Sequence, residues 1–280
     1  MYKAAVLLTV FNRKKTTLEC LKALGEQEIK NVILEVFLVD DGSTDGTLEA
    51  VANQFPEVNV IQGSGSLFWN GGMRLAWKNA LAKEKYDLFL WLNDDTILLK
   101  NGLNDLLRDY QKLQKIENNL YLISGACKKI NSEEFSYGGR DEKGVVKPSG
   151  ELQICKYING NVVLIPYNVF LKIGILSDKY THSMGDFDYG LRAQEKKIKC
   201  YTTSKYIAQC DQNLISGWMD QEVHFKKRWQ LFHNPKGLNI KEYIYFTKRH
   251  NNYLVAFNKI IKVYFQLFFP KFYRKIKGLV

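Results

Sequence analysis

Short apolar runs alternate with segments of helical periodicity through the first 115 residues. Residues 4–10, 33–39, 58–62 and 88–92 read as buried strands. Between them, Leu18, Leu21 and Leu24 mark one helix face, residues 48–55 a second helix, and the stretch running to residue 82 a third. Residues 101–115 complete the series. This alternation predicts an α/β fold with a mostly parallel, helix-covered central sheet.

The rhythm changes after residue 120. Residues 121–126, 135–139 and 145–147 are short strand candidates between turn residues, which predicts a small antiparallel subregion inserted over the sheet. Residues 158–166 read as another strand and 169–173 as a short helix ending at Gly174. A helix then runs to Lys196 with Asp186 and Asp188 in its first turn, where carboxylates favour the helix dipole. Residues 199–208 form the last expected strand. From residue 221 the chain turns helical and basic.

The expected strands stop at chemistry-bearing residues. The first ends in Phe11-Asn12-Arg13, the second in Asp40-Asp41 and the turn to Thr47, the fourth in Asn93-Asp94-Asp95. Adjacent carboxylates closing an apolar strand repel, and burial favours their neutral forms. A hard divalent cation such as Mg²⁺ or Mn²⁺ lifts that penalty, and the carboxyl ends of α/β strands are where ligands bind. The alternative is that Asp94 or Asp95 caps a following helix. Residues 63–74 hold four glycines and two serines before a helix, which can present backbone N–H groups to a phosphate or sugar. They match neither GxGxxG nor a Walker loop.

Composition narrows the classes. A chain of 280 residues, 46% hydrophobic, can bury a full core. No window reaches the roughly 18–20 apolar residues of a spanning helix, and the N-terminus enters a strand directly, so a cytoplasmic protein is expected. Five scattered cysteines without CxxC spacing argue against a disulfide framework or zinc site. The net charge of +11, concentrated after residue 225, calls for an anionic partner: nucleic acid, anionic lipid or a phosphorylated substrate.

Thr9-Val-Phe-Asn12, Val39-Asp-Asp-Gly-Ser-Thr-Asp45, Leu92-Asn-Asp-Asp95 and Gly185-Asp-Phe-Asp-Tyr-Gly-Leu-Arg192 stand in an order and spacing that resembles family 2 glycosyltransferases. The likeness covers roughly residues 3–210. It implies a GT-A fold and inverting transfer from a nucleotide sugar. Phe68-Trp-Asn-Gly-Gly-Met-Arg74 is similar to the rhamnosyltransferase-like subgroup of bacterial polysaccharide synthesis. The implied division is a catalytic domain over 1–215, with a nucleotide-sugar half (1–115) and an acceptor half (116–215), and a helical extension over 216–280.

The resemblance implies roles residue by residue. Thr9 and Asp41 would hold the base, the Asp41 carboxylate accepting the imide N–H of uracil or thymine, so the donor is UDP- or dTDP-linked. Phe11, Asn12, Arg13, Ser43, Gly65, Asn70, Gly71, Arg74, Asn93 and Asp94 complete the nucleotide site. Asp95, with Asp94, would bind Mn²⁺ or Mg²⁺ between the donor phosphates; Asn93 stands where the family more often has Asp. Asp186 matches the catalytic base, although Gly185 replaces the commoner Glu before it. Trp69, Asn159, Gly160, His182, Gly185, Asp188 and Arg192 are expected near the sugar or acceptor. The alternatives for Arg192 are an i,i+4 pair with Asp188 across the helix and contact with the diphosphate. Where relatives carry a late histidine ligand, this chain has Gln209-Cys-Asp-Gln212, leaving Asp211 as the substitute oxygen donor. Trp218 and Trp229 are further acceptor-wall candidates.

Residues 254–280 interleave aromatic and aliphatic side chains with lysines, broken once at Pro270. Such a helix lies in a membrane interface, which fits a glycan acceptor on a polyprenyl diphosphate and an enzyme peripheral to the inner face of the cell membrane. Otherwise its apolar face packs on the catalytic domain or on a sister subunit in a homodimer. The competing classes are a non-catalytic nucleotide- or nucleic-acid-binding protein and an inactive scaffold subunit of a polysaccharide assembly complex. Carboxylates at strand ends disfavour nucleic acid, because without a metal they repel a phosphate backbone.

Overall fold

Alternation along the first strand decides the layering. In β1 (Tyr2–Val10), Val6, Leu8 and Val10 face one way and Ala5 and Leu7 the other, all of them buried. The first face packs on α1 (Lys14–Gly25), α2 (Thr47–Gln54) and α4 (Gly102–Gln114) through Leu21, Val51 and Leu106. The second packs on α3 (Phe68–Lys83), α5 (Tyr167–Ile173) and α6 (Gly185–Glu195) through Trp77, Val169 and Tyr189. Each face thus buries its own core, and the computed structural model, which describes residues 1–117, 120–212 and 217–276, is a helix–sheet–helix sandwich.

β1 lies between β2 (Val32–Asp40) and β4 (Leu88–Leu92), with β3 (Asn59–Gln62) outside β2, and these four strands are parallel. The remaining strands are β5 (Ile97–Leu98), β6 (Tyr121–Lys128), β7 (Phe135–Tyr137), β8 (Gln153–Ile154), β9 (Val162–Pro166) and β10 (Lys199–Gln209). The sheet runs β3-β2-β1-β4-β9-β6-β10-β5. β9 is antiparallel to β4 and β6, while β10 is parallel to β6. Six of the ten strands therefore share one direction.

The antiparallel subregion expected over the sheet is instead part of it. β6 pairs with β9 and β10 in the main sheet, and β7 and β8 attach at its far side. Residues 145–147 form no strand; Val145 makes one isolated bridge with Arg140. β5 and β8, two residues each, are too short to leave a periodic signal. All five cysteines are buried free thiols.

The helical extension has a small core of its own. α7 (Phe225–His233), α8 (Ile240–His250) and α9 (Tyr253–Phe268) bury Phe232, Ile240, Val263 and Leu267 around Trp218, and α10 (Pro270–Ile276) follows. Trp218 is thus a core residue, not an acceptor wall, whereas Trp229 is 42% exposed. Arg228, within a basic run, points inward: its guanidinium donates to the carbonyls of Trp218, Gln266 and Leu267. The expected junction at 215/216 and the end of the chain at 277–280 lie outside the described residues. Contacts that join extension and sheet body include Thr181 donating to the Glu242 carboxylate, Arg249 paired with Glu195, and His250 Nε2 at 2.9 Å from Asp188.

α3 approaches the end of β1 closely. A Cβ at Gly72 would collide with Thr9 Oγ1 and lie 2.7 Å from Thr9 Cβ. Gly72→Ala is expected to destabilise the protein by about 1–3 kcal/mol through overpacking. Gly25→Ala, where a Cβ meets nothing within 4 Å, should be neutral or slightly stabilising. Equilibrium urea unfolding of the two variants makes the comparison.

Candidate active site

The carboxyl ends of β1, β2 and β4, the starts of α3 and α6, and the turn before β9 enclose a cleft of about 480 Å³. That is the size of a small-molecule site. Thr9, Phe11, Arg13, Asp41, Gly65, Trp69, Asn93, Asp94, Asp95, Asn159, Gly160, His182 and Asp186 line it. Residues from six separate stretches of chain thus converge. Two lining residues at helix starts, Phe68 and Met184, hold positive φ of 53° and 67°, a conformation unfavourable for side chains of their size.

The cleft's carboxylates are held in different ways. Asp41, 4% exposed, accepts from the backbone N–H groups of Gly65 (2.8 Å) and Phe68 (2.9 Å), which fastens the glycine-rich loop to the end of β2. Asp186 accepts from the N–H groups of Gly160 and Phe187, each at 2.9 Å. Burial outweighs those bonds and pushes the Asp186 carboxyl up to about 6. Asp94 is likewise pushed up to about 7, chiefly by burial; Arg13 opposes the shift and the Asp95 charge adds to it. Arg13 Nη1 lies 3.3 Å from Asp94 Oδ1 and 2.5 Å from Asp95 Oδ2. Two adjacent carboxylates, one of them costly to ionise, form a hard-oxygen pair that suits a divalent cation whose remaining ligands come from phosphate and water. Among the described residues no cluster of three His, Cys, Asp or Glu is arranged around a metal position.

Asn93 has a specific partner. Its Oδ1 accepts the Trp69 indole N–H at 2.7 Å, and Trp69 stands edge-on to Trp91. Gly160 completes the packing, since a Cβ there would meet Trp69 Cζ2 at 2.5 Å. His182 is half-buried with Nδ1 unpartnered, and burial, then the charges of Lys236 and Arg13, lower its pKa. Gly185 also has a steric reason. A Cβ there would collide with Asn70 Oδ1, because the Asn70 amide fills the space before α6 while donating to the carbonyls of Ser177 and Tyr180.

Nine expected site residues do not line this cleft. Asn70 lies buried beneath α6, and Gly71 packs on Leu67. Arg74 donates to the Leu176 carbonyl. Ser43 accepts from the Asn12 N–H, and Asn12 Oδ1 accepts from the Thr44 N–H, so both close the β2 turn. Gly185 serves packing. Asp188 accepts from Tyr180, His250 and Arg192, while Arg192 also donates to the carbonyls of Ile173 and Ile175. Asp188 and Arg192 thus tie α6 to α8 and to the end of α5 and the segment that follows it. Asp211 accepts from the Ile130 N–H and lines an adjoining groove with Asn12, Arg13 and Asp95. Of the late segment it is Cys210 that approaches Asp95, Sγ to Oδ1 at 3.6 Å.

Lys236 was not foreseen. It comes from the α7–α8 connection, lines the cleft, and places Nζ 5.1 Å from the Phe11 ring centroid. Nothing local marks it; only the packing of the extension on the sheet body brings it there.

Residues 5–174, more than half of the chain, match the model of glycosyl transferase family 2. The matched stretch ends before α6, so Asp186 lies beyond it. An uncharacterized glycosyltransferase of Rickettsia typhi is 25% identical over 193 residues, covering 66% of this chain and 56% of its own. One of Rickettsia conorii is 28% identical over 199 residues, 67% of this chain and 29% of its own. The chain therefore spans about half the length of the first relative and under a third of the second. Among solved structures, S. aureus TarS 1–349 in complex with UDP-GlcNAc has a TM-score of 0.58 at 16% identity, over 87% of this chain and 67% of that one. The mannosyltransferase PcManGT from Pyrobaculum calidifontis in complex with GDP-Man and Mn²⁺ has 0.56 at 13%, over 88% and 63%. These likenesses show the fold, that of GT-A glycosyltransferases. By the family match over residues 5–174, the chain belongs to glycosyl transferase family 2.

Proposed function

We propose that the protein is an inverting glycosyltransferase that moves a sugar from a UDP- or dTDP-linked donor to a hydroxyl of a glycan acceptor, lipid-linked, in bacterial polysaccharide synthesis. The observation that carries the reading is the meeting of Asp186, raised to about 6, with Asp41 and the Asp94–Asp95 pair in one cleft. The donors bound in the two related structures, UDP-GlcNAc and GDP-Man, support a nucleotide sugar as the class of donor.

The mechanism divides among this chain's residues. Thr9 and Asp41 hold the base, Asp41 using lone pairs not taken by Gly65 and Phe68. Phe11 supplies an apolar face, and Trp69, steadied by Asn93, an aromatic face for the sugar. Asp94 and Asp95 would hold Mn²⁺ or Mg²⁺, which when bound supplies Lewis-acid stabilisation to the departing nucleoside diphosphate. Arg13, paired with both carboxylates, is the cation at hand to meet phosphate charge. Asp186 accepts the proton of the acceptor hydroxyl as that oxygen attacks the anomeric carbon. Its pKa of about 6 suits it: largely ionised at pH 7, yet basic enough to take a proton.

Three outcomes test the assignment. Asp186→Asn is expected to cut kcat by about 10²–10⁴-fold with donor affinity retained. Near-normal turnover would assign the base elsewhere. Because the base works deprotonated, kcat/KM in the wild type should fall as pH drops through about 6, and a profile flat to pH 4.5 would contradict it. In thermal shift, UDP or dTDP should raise the melting temperature more with Mn²⁺ than without, and Asp95→Ala should abolish that difference. No response to any nucleotide would count against the enzyme reading.

A further inference from the structure

We propose that the exposed face of α9 is a docking surface for an anionic lipid bilayer, on which the enzyme lies without crossing. Tyr253, Leu254, Phe257, Ile261 and Phe268 are each 50–79% exposed. At 100° per residue they fall within an arc of about 100°. Val263 and Leu267, on an adjoining side of the helix, are buried in the extension's core, and Ala256, between them around the axis, is buried too. The apolar face is therefore surplus to folding. It continues onto α7, where exposed Phe225 stacks on Phe268 at 5.8 Å and Trp229 lies 6.4 Å from the same ring.

Charge selects the occupant. From residue 223 to the end the sequence carries thirteen Lys and Arg and one acidic side chain, Glu242. The preceding 222 residues hold twenty-seven basic and twenty-eight acidic side chains, so the whole positive excess belongs to this stretch. Glu242 is engaged inward by Thr181. Exposed Lys226, Lys227, Lys262 and Lys271 flank the aromatic face in sequence. An apolar stripe bordered by lysines, with its carboxylate turned away, matches an interface of acyl chains beneath anionic headgroups. α9 has sixteen residues, and among the described residues no helix is long and apolar enough to cross a membrane. Lying in the interface is what its length permits.

The surface is mechanically joined to the cleft. α9 packs on α8, His250 of α8 meets Asp188 of α6, and the connection ahead of α8 carries Lys236 to the cleft wall. A docked α9 therefore sets how the cleft stands to the bilayer, where an acceptor on a lipid carrier would be presented. The docking itself does not rest on the donor or base assignment.

Co-sedimentation of the full chain with phosphatidylcholine vesicles, with and without phosphatidylglycerol, tests it without turnover. Anionic vesicles should bind at least about tenfold tighter than neutral ones, less so at high salt. The double variant Phe257→Ser/Ile261→Ser should lose at least about tenfold in that binding while its melting temperature is unchanged, since neither side chain is buried. No binding to anionic vesicles, or equal binding by the double variant, would overturn the proposal. So would a wild-type dimer in sedimentation velocity that the same variant dissociates, which would seat a second copy on this face. Donor binding by thermal shift, read on both proteins, keeps failure of the docking surface distinct from failure of the enzymatic reading.

Discussion

A carboxylate where a buried strand or helix begins or ends must be met by a donor or a cation, and this requirement organises the molecule. Leaving one ionised and unpaired away from water costs several kcal/mol. The chain meets the requirement differently at each position. Asp41 and Asp186 use backbone N–H groups, Asp188 takes His250 and Arg192, and Asp94 and Asp95 share Arg13. Where compensation is complete, as at Asp188, the group becomes framework and its pKa falls despite burial. Where it is incomplete, as at Asp94 and Asp186, the pKa rises and the group remains reactive toward a ligand. Framework and chemistry are thus two outcomes of one constraint.

The layered α/β fold could be read in advance because its strands are uniformly apolar and its helices periodic. Convergence of Thr9, Asp41 and Asp94 on one cleft followed from strand-end positions, which a parallel sheet brings to one edge; Asp186 joins them from the first turn of α6. The rotation of helical residues about their axes was harder to see. Asp186 and Asp188 are about 200° apart on α6, so when one faces the cleft the other faces away. On α3 the same geometry keeps Trp69 in the wall and sends Asn70 and Arg74 toward the segment between α5 and α6. A motif written as a string does not say which of its letters turns inward.

The departures from the family pattern were visible as letters and explained only by neighbours distant in sequence. Gly185 answers to Asn70, more than a hundred residues earlier, and Asn93 answers to Trp69. No local signal encodes such pairs. The basic tail was legible as amphipathic, yet the sequence did not distinguish Arg228, buried against helix-terminal carbonyls, from the exposed lysines beside it.

Lys236 has a practical corollary for anyone dissecting this protein. A fragment trimmed to the sheet and its flanking helices would keep every strand-end carboxylate but lose Lys236 from the cleft lining, the partner of Asp188 on α8, and the Glu242 clamp on Thr181. Modularity suggested by a change in composition along the chain is therefore misleading as a guide to cutting it. The two parts share a boundary at the cleft, where the connection between two helices of the extension supplies a lining side chain.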